Sequence, residues 1–349
     1  MPLVYTELDA NNVHTVVPLL LPFLERDWSK QYSDEVLDWR FLKQHRAETM
    51  LALNDDRCVA MINSWIRPYA IGGERIDARE TDLWISAPEY RPLASLRVLQ
   101  ALMEKPEPIS CITNMDYINS ILERMSWRQL PDVSHMVLPV RAGAFVKTLA
   151  TRMQKDVAQL PGVVNAPFRL KIRGPKEQSA PASVTEISEI TRAEDVPTIM
   201  PPDGAYASAS LATRHDFEWY ASAPKEFGEF VWLLFKVDGE PIALSISRIY
   251  EDGSFIGSKI LQVQASTNDP AMYAWIFGQT SVELAGRGAH WIDARFSCPK
   301  MVEALQKVGF MKGQISNVFW YDGKLPELKG HNLVSCLFRG DGIAPYPVR

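Results

Sequence analysis

The sequence Asp82-Leu-Trp-Ile-Ser-Ala-Pro-Glu-Tyr-Arg91 is an apolar strand that runs directly into a turn. A helical pattern follows it from about Leu93 to Glu104. The backbone N–H groups at the start of a helix have no partners inside the helix, so they can bind phosphate groups. A strand, a tight turn and a helix in this order place the free N–H groups of a helix start directly after the strand.

Two acidic residues, Glu80 and Asp82, lie on the strand that enters this turn. Because successive side chains of a strand point to opposite faces, residues two apart share one face. A carboxylate beside a reacting group can accept a proton as a general base. A second interpretation, a solvated or capping carboxylate, stays open for both residues.

The chain repeats a pattern of a Trp-bearing helical segment, a strand, a polar turn and a second strand. The first copy consists of Asp38-Trp39-Arg40, Thr49–Leu53, Asn54-Asp55-Asp56 and Cys58–Ile66. The second copy consists of Glu218-Trp219-Tyr220, Val231–Val237, Asp238-Gly239 and Ile242–Tyr250. An Asp-Gly pair between two apolar runs is a strong hairpin signal. We interpret Trp39 and Trp219, which mark the repeat, as core residues.

The two copies also end alike, with a short strand followed by an amphipathic helix. The first ending has the strand Ile109–Thr113 and a helix that stops at Ser126-Trp127. The second has the strand Trp291–Arg295 and a helix that begins at Pro299 and stops at Gly309-Phe310. Proline in the first turn and glycine after the last turn are the expected helix boundaries.

A tandem arrangement of two units accounts for the 349 residues. We predict an N-terminal unit at 1–140, a linker segment at 141–183 that is rich in Pro, Ser and Ala near its end, and a C-terminal unit at 184–349. The fold class is α/β in the mixed α+β sense. Each unit is expected to be a mixed, largely antiparallel sheet of about six or seven strands flanked by helices.

Charge and cysteine content exclude several kinds of function. The chain has 37 basic and 42 acidic residues, and the charges are spread evenly over both halves, which does not favour nucleic-acid binding. The alternating stretch from Phe168 to Arg173 is interpreted as a half-buried strand. The four cysteines form no CxxC pair, so neither a zinc ribbon nor a disulfide framework is predicted, and no metal is expected.

Two further positions are predicted to have no catalytic role. Cys298, just before a predicted helix start, is interpreted as a buried thiol, and His215-Asp216 as solvated surface.

The most apolar stretch, Val13 to Leu24, contains two prolines and is shorter than the ~20 residues that span a membrane. With no membrane span and no recognisable signal peptide, the sequence predicts a cytoplasmic protein.

The stretch from Asp82 to Arg91 and the helix after it resemble the central strand and acyl-CoA loop of GNAT-type N-acyltransferases. In that family a strand ending in V-x-P-E-Y-R precedes R/Q-x-x-G-x-G/A at the start of a helix. The later family ending Y-x-x-x-G-F is similar to Leu305-Gln-Lys-Val-Gly309-Phe310. The resemblance covers both halves, so the chain is similar to a tandem GNAT protein.

This resemblance implies a function and a set of site residues. The co-substrate would be acetyl-CoA or another acyl-CoA, and the acceptor would be an amine of a small molecule or peptide. The thioester would lie in a V-shaped opening between the fourth and fifth strands. Asp82 or Glu80 would be the general base. The cofactor-binding residues would be Ile85, Ser86, Arg91, Ala94, Ser95 and Leu96.

The sequence differs from the family pattern at several positions, and these differences leave alternatives open. Leu96 stands at the second glycine position, Leu122 and Leu305 stand where the family has a tyrosine, and Val263–Pro270 lacks the glycine motif. One hypothesis is acyl transfer in the N-terminal unit, with the C-terminal unit structural or acceptor-binding. The others are a Fem-type aminoacyl transferase and a binding or assembly protein on an inactive scaffold.

Overall fold

The computed structural model describes residues 2–20, 34–71, 74–113, 115–140, 174–176, 178, 186–202, 208–252, 255–323 and 335–336. Most of the predicted linker 141–183, and the strand predicted at 168–173, lie outside these residues. The boundaries proposed for the two units therefore stay a prediction.

The strands follow the repeat that the sequence predicts. Those of the first half are β1 (Val4–Glu7), β2 (Ala47–Asn54), β3 (Arg57–Ile71), β4 (Glu74–Ser86), β5 (Ile109–Thr113) and β6 (Arg128–Pro139). Those of the second half are β7 (Glu186–Glu189), β8 (Ser208–Ser210), β9 (Glu229–Val237), β10 (Glu240–Asp252), β11 (Phe255–Ala265), β12 (Trp291–Phe296), β13 (Met311–Tyr321) and β14 (Ser335–Cys336).

The α-helices lie on both sides of the sheet. They are α1 (Asp34–Leu37, continued by a π-helical turn Asp38–Leu42), α2 (Leu93–Met103), α3 (Asp116–Arg124), α4 (Arg214–Ala221), α5 (Pro270–Gly286) and α6 (Pro299–Val308). Helix α6 ends at Gly309 in the left-handed conformation at φ 117°, as the Val-Gly-Phe ending predicts. Helices α2 and α6 each bury four apolar side chains, which attach them to the sheet.

The fourteen described strands join in one continuous sheet rather than two separate ones. Its main order is β1-β2-β3-β4-β5-β13-β6-β12-β11-β10-β9-β7, with β8 paired to β3 and β14 to β8. One strand of each unit is exchanged: β13 of the second unit lies beside β5, and β6 of the first unit lies beside β12. Each half of the sheet is therefore completed by a strand from the other unit.

The strand register shows that this exchange is symmetric. Thr113 is paired with Asn317, and Phe296 is paired with Ser134. A shift of 183 residues converts the first pair into the second, because it takes Thr113 to Phe296 and Ser134 to Asn317. The two units thus have equivalent pairings at their junction, with the same 183-residue offset that separates the helix endings at Ser126 and Gly309.

Each unit has a V-shaped opening between two parallel strands. The described pairs of β4 with β5 end at Glu80–Ser110, although β4 continues to Ser86 and β5 to Thr113. The described pairs of β11 with β12 end at Ile260–Ala294, and β11 continues to Ala265. The strands diverge beyond these pairs, as the resemblance implied.

Trp39 and Trp219 meet at the junction of the two units. The Trp39 Nε1–H donates to the carbonyl oxygen of Trp219 at 2.9 Å, and the Trp219 Nε1–H donates to that of Trp39 at 2.9 Å. The rings stack with centroids 4.6 Å apart and planes 11° from parallel. Both side chains are buried, so the interpretation as core residues is confirmed.

We expect Trp39→Phe and Trp219→Phe each to lower the free energy of unfolding by ~1–3 kcal/mol more than Trp127→Phe. The first two substitutions remove a buried donor and leave a carbonyl oxygen without its partner. Trp127 is a matched control, because it is buried and its Nε1 has no hydrogen-bond partner among the described residues. Urea denaturation measures the difference, and equal losses for all three variants would contradict a stabilising role for the reciprocal pair.

Candidate functional site

The end of β4 contains a β-bulge. Asn63 is paired with Asp82, but the next pair joins Met61 to Ile85, so β4 has one residue more than β3. Leu83, inside the bulge, has a φ of 49°, in the left-handed region that non-glycine residues rarely adopt. A bulge interrupts the ladder and leaves backbone groups unpaired. These groups lie beside the V-shaped opening of the first unit.

Arg91 fixes the turn that follows β4. Its Nε and Nη2 donate to the carbonyl oxygen of Ser86 at 3.1 and 2.9 Å. The Ala87 N–H donates to the carbonyl oxygen of Val59 at 2.9 Å, which ties the turn to β3. Of the predicted cofactor residues, Ile85 and Ser86 thus lie at the end of β4 and Arg91 lies in the turn after it, with its side chain exposed.

Helix α2 begins directly after this turn with an open N-terminus. Its first internal hydrogen bond runs from the Leu96 N–H to the carbonyl oxygen of Pro92 at 3.0 Å. The N–H groups of Leu93, Ala94 and Ser95 precede that bond, and no side chain of the described residues caps the helix. The first turn has no acidic residue. Ser95 is held in place because its carbonyl oxygen accepts the Trp84 Nε1–H at 3.1 Å.

The corresponding helix of the second unit, α5, has a closed N-terminus. The Asp269 side chain caps it by accepting the Ala271 N–H at 2.9 Å. Pro270, the first residue of the helix, has no N–H. A carboxylate at this end would also repel a phosphate group. The two units therefore share a fold but differ in what their helix termini can bind.

Glu80 lies in a buried polar cluster rather than at an open surface. It is 5% exposed, and its Oε1 accepts the Tyr69 hydroxyl at 2.5 Å. The Arg67 guanidinium lies 3.9 Å from the other carboxylate oxygen and 2.6 Å from Asp216 Oδ1. Burial first, and then the adjacent Glu80, raise the pKa of Tyr69 well above its usual value. Asp82 lies two residues further along the backbone of β4.

The interpretation of Asp216 as solvated surface is wrong. Asp216 belongs to a capping box with Thr213 at the start of α4 and forms an ion pair with Arg67, whose side chain is 2% exposed. Sequence reasoning missed this contact because Arg67 and Asp216 are 149 residues apart. The cluster of Arg67, Glu80, Tyr69 and Asp216 thus connects the two units.

A second titratable pair lies at the base of the V of the second unit. His135 Nε2 of β6 is 3.1 Å from Asp293 Oδ1 of β12, and the Trp291 Nε1–H donates to the same oxygen at 2.6 Å. Since an ionised carboxylate only accepts, the proton of the imidazole is assigned to Nε2. Burial by itself would raise the pKa of Asp293, but the hydrogen bond and charge of His135 lower it. No motif in the sequence connects these residues.

The tyrosine positions of the family motif are core positions here. Leu122 and Leu305 are both fully buried among apolar side chains. Cys298, at the N-cap of α6, is also buried in the core. Within the described ranges, no group of three or more His, Cys, Asp or Glu side chains is placed to hold a metal ion. None of the described helices is both long and apolar enough to cross a membrane.

Comparison with known proteins gives matches to solved structures. No protein-family profile matches it, and no curated protein matches it in sequence. Saccharomyces cerevisiae N-myristoyltransferase with bound myristoyl-CoA matches with a TM-score of 0.60 at 9% identity, over 92% of this chain and 84% of that one.

Two bacterial structures also match. A conserved protein from Enterococcus faecalis, described as a probable N-acyltransferase, gives a TM-score of 0.56 at 9% identity, over 93% of this chain and 74% of that one. A GCN5-related N-acetyltransferase from Anabaena variabilis gives 0.54 at 11% identity, over 92% and 73%. These likenesses confirm the predicted GNAT-type fold.

We expect Asp293→Asn to lower the free energy of unfolding at pH 7, and the difference from wild type to shrink as the pH falls below about 4. The pKa of Asp293 is depressed in the folded protein, so its ionised form stabilises the fold above the unfolded pKa. That contribution is lost as the pH falls through the folded pKa. Urea titrations at several pH values measure it. Asp55→Asn, in an exposed turn, is the control, and a pH-independent difference for Asp293→Asn would contradict the expectation.

Proposed function

We propose that the protein is an acyl-CoA-dependent N-acyltransferase and that its first unit binds the acyl-CoA. The main support is the contrast between the two helix termini: α2 presents free N–H groups beside a V-shaped opening, whereas α5 is capped by Asp269. The pyrophosphate would accept hydrogen bonds from the backbone N–H groups of Leu93, Ala94 and Ser95. The fold likeness to an N-myristoyltransferase that binds myristoyl-CoA agrees with this donor.

The thioester would then lie between β4 and β5, beside the bulge at Leu83. A backbone N–H of the bulge would stabilise the oxyanion that forms on the thioester carbonyl. The acceptor would be an amine of a small molecule or peptide. Its nitrogen attacks the carbonyl carbon, the C–S bond breaks, and the acyl group is left on the nitrogen.

Two proton transfers accompany this reaction. Asp82 or Glu80 would accept the proton that the attacking amine loses, because both lie on the strand that enters the acyl-CoA turn. The CoA thiolate would take its proton from solvent, since Leu122 provides no phenol. The second unit would be structural or acceptor-binding. It already contributes β13 to the sheet beside β5.

We expect Leu93→Asp to weaken the affinity for CoA about tenfold, or ~1.4 kcal/mol, while leaving the helix at least as stable. A carboxylate in the first turn favours the helix dipole but repels the pyrophosphate. Leu93 is 62% exposed, so the substitution disturbs no core contact. Leu93→Asn is the neutral control. Calorimetric titration with CoA measures the affinity.

Two further variants make the assignment to one unit testable. Ala271→Asp places the same charge in the first turn of α5, and the affinity should not change. Arg91→Ala should weaken it about tenfold, because the side chain that fixes the turn is lost. If Ala271→Asp weakens binding and Leu93→Asp does not, CoA binds the second unit and the assignment is wrong.

For catalysis, we expect Asp82→Asn or Glu80→Gln to lower the rate of CoA release with an amine acceptor by about 10²–10⁴. CoA affinity measured on the same variants separates lost chemistry from lost binding. Tyr69→Phe, which removes the hydroxyl donor to Glu80, shows how far the cluster itself matters. Full activity in the Asp82→Asn, Glu80→Gln double variant would show that neither carboxylate is the base. A folded wild type that releases no CoA with any amine would favour an inactive binding scaffold.

A further inference from the structure

A cavity of about 450 Å³ lies where the two units meet. The first unit contributes residues 44–46 and parts of β3 and β4, and the second contributes the start of α4. The acyl-CoA site proposed above uses none of these residues. The volume of the cavity is within the range of about 300–1,000 Å³ that small-molecule sites occupy, and it is larger than an inorganic ion requires.

The cavity follows from a gap along the edge of β3. Strand β3 pairs with β2 up to Trp65 and with β8 from Tyr69 onward. The backbone is bridged at the two ends of this gap, where the Ile66 N–H donates to Arg46 O at 3.2 Å and the Leu211 N–H donates to Pro68 O at 2.8 Å. Between these bonds the edge of β3 faces the cavity instead of another strand.

Three guanidinium groups line the cavity, against two carboxylates. Arg46 pairs with Asp77 at 2.5 Å near the surface, and Arg67 pairs with Asp216 at 2.6 Å in the interior. Arg75 forms no ion pair with a carboxylate in the described part of the chain, and it is exposed. The wall therefore has positive charge available to an incoming ligand.

Two histidines from different units stack at the same wall. The rings of His45 and His215 are 4.0 Å apart between centroids and 23° from parallel. Burial, then the neighbouring His215 and Arg46, lower the pKa of His45, whereas Asp216 and Glu218 raise it. Arg67, Arg75 and Asp77 are the other charged groups that line the cavity. A bound anion beside the stack would oppose this lowering of the His45 pKa.

In the described part of the second unit, the chain before the equivalent strand packs closely against its neighbour. Arg46 directly precedes β2 with a φ of 55°, and Gly228 directly precedes β9 with a φ of 93°. A Cβ on Gly228 would lie 1.9 Å from the carbonyl oxygen of Ile249, so the chain there packs directly against β10. In the first unit the same kind of backbone turn has an arginine at the cavity wall, in a conformation that costs free energy for a non-glycine residue.

We propose that this cavity binds a small organic anion, a carboxylate or a phosphate ester with a planar body. Arg75 and Arg46 contact the anionic group, and the His45–His215 stack and Trp65 contact the planar part. This inference goes beyond the proposed acyl transfer, because the cavity holds its ligand with or without CoA.

Calorimetric titration of the full chain with benzoate, phenyl phosphate and neutral benzamide tests the proposal in the absence of CoA. We expect both anions to bind and benzamide to bind at least tenfold more weakly. The two anions distinguish a carboxylate ligand from a phosphate ester. Arg75→Ala should weaken binding about tenfold, Arg75→Lys should restore part of it, and Arg124→Ala, at an exposed arginine on α3, should change nothing.

Histidine ring NMR places the ligand. The resonances of His45 and His215, assigned with His45→Gln and His215→Gln, should move during the benzoate titration. If neither anion moves these resonances, if benzamide binds as well as benzoate, or if Arg124→Ala weakens binding as much as Arg75→Ala, the proposal is wrong. Loss of CoA binding alone would not contradict the proposed anion site.

Discussion

The exchange of β6 and β13 is the constraint on which the rest of the structure depends. β13 pairs with β5, the strand that forms one side of the first V-shaped opening, and β6 pairs with β12 in the second. A V needs two strands that are each held firmly on their outer side while their inner sides separate. In each opening, one of the two outer partners comes from the other unit: β13 in the first and β6 in the second. The geometry of each opening therefore depends on the folding of the whole chain. Trp39 and Trp219 stabilise the same junction through their reciprocal hydrogen bonds.

The two units differ at the helix that follows each opening. Both have a bulge in the strand before the opening and a helix after it. The difference is local. Helix α2 begins at Leu93 after Pro92 and has no side-chain cap, whereas α5 begins at Pro270 and is capped by Asp269. The free energy involved at each terminus is small, about 1 kcal/mol for a cap, so a unit can lose or keep an anion site without losing its fold.

Polar groups at the junction couple the two units more closely than surface ion pairs would. Arg67 is buried and contacts Glu80 of its own unit and Asp216 of the other. A buried guanidinium needs partners of opposite charge, since removing one partner leaves an uncompensated charge in the interior. The cavity that we propose as an anion site shares Arg67 and Asp216 with this cluster. A ligand there would contact the same charges that surround Glu80, at the closed end of the first opening.

The sequence by itself determined the elements and their repetition. The Asp-Gly turn, the helix that starts at Pro299 and stops at Gly309, and the two tryptophans are local signals, so the strands, helices and tandem order could be predicted. The stretch that contains Glu80, Asp82 and Arg91 also predicted the exposed start of α2 and the two carboxylates on β4. Only the tertiary structure decided which strands pair across the units, and it did so through contacts between residues more than 100 positions apart. Arg67 with Asp216, His135 with Asp293 and His45 with His215 have no spacing that a single sequence could reveal. The proximity of His135 and Asp293 results from the strand exchange, and the other two pairs form where α4 meets the first unit.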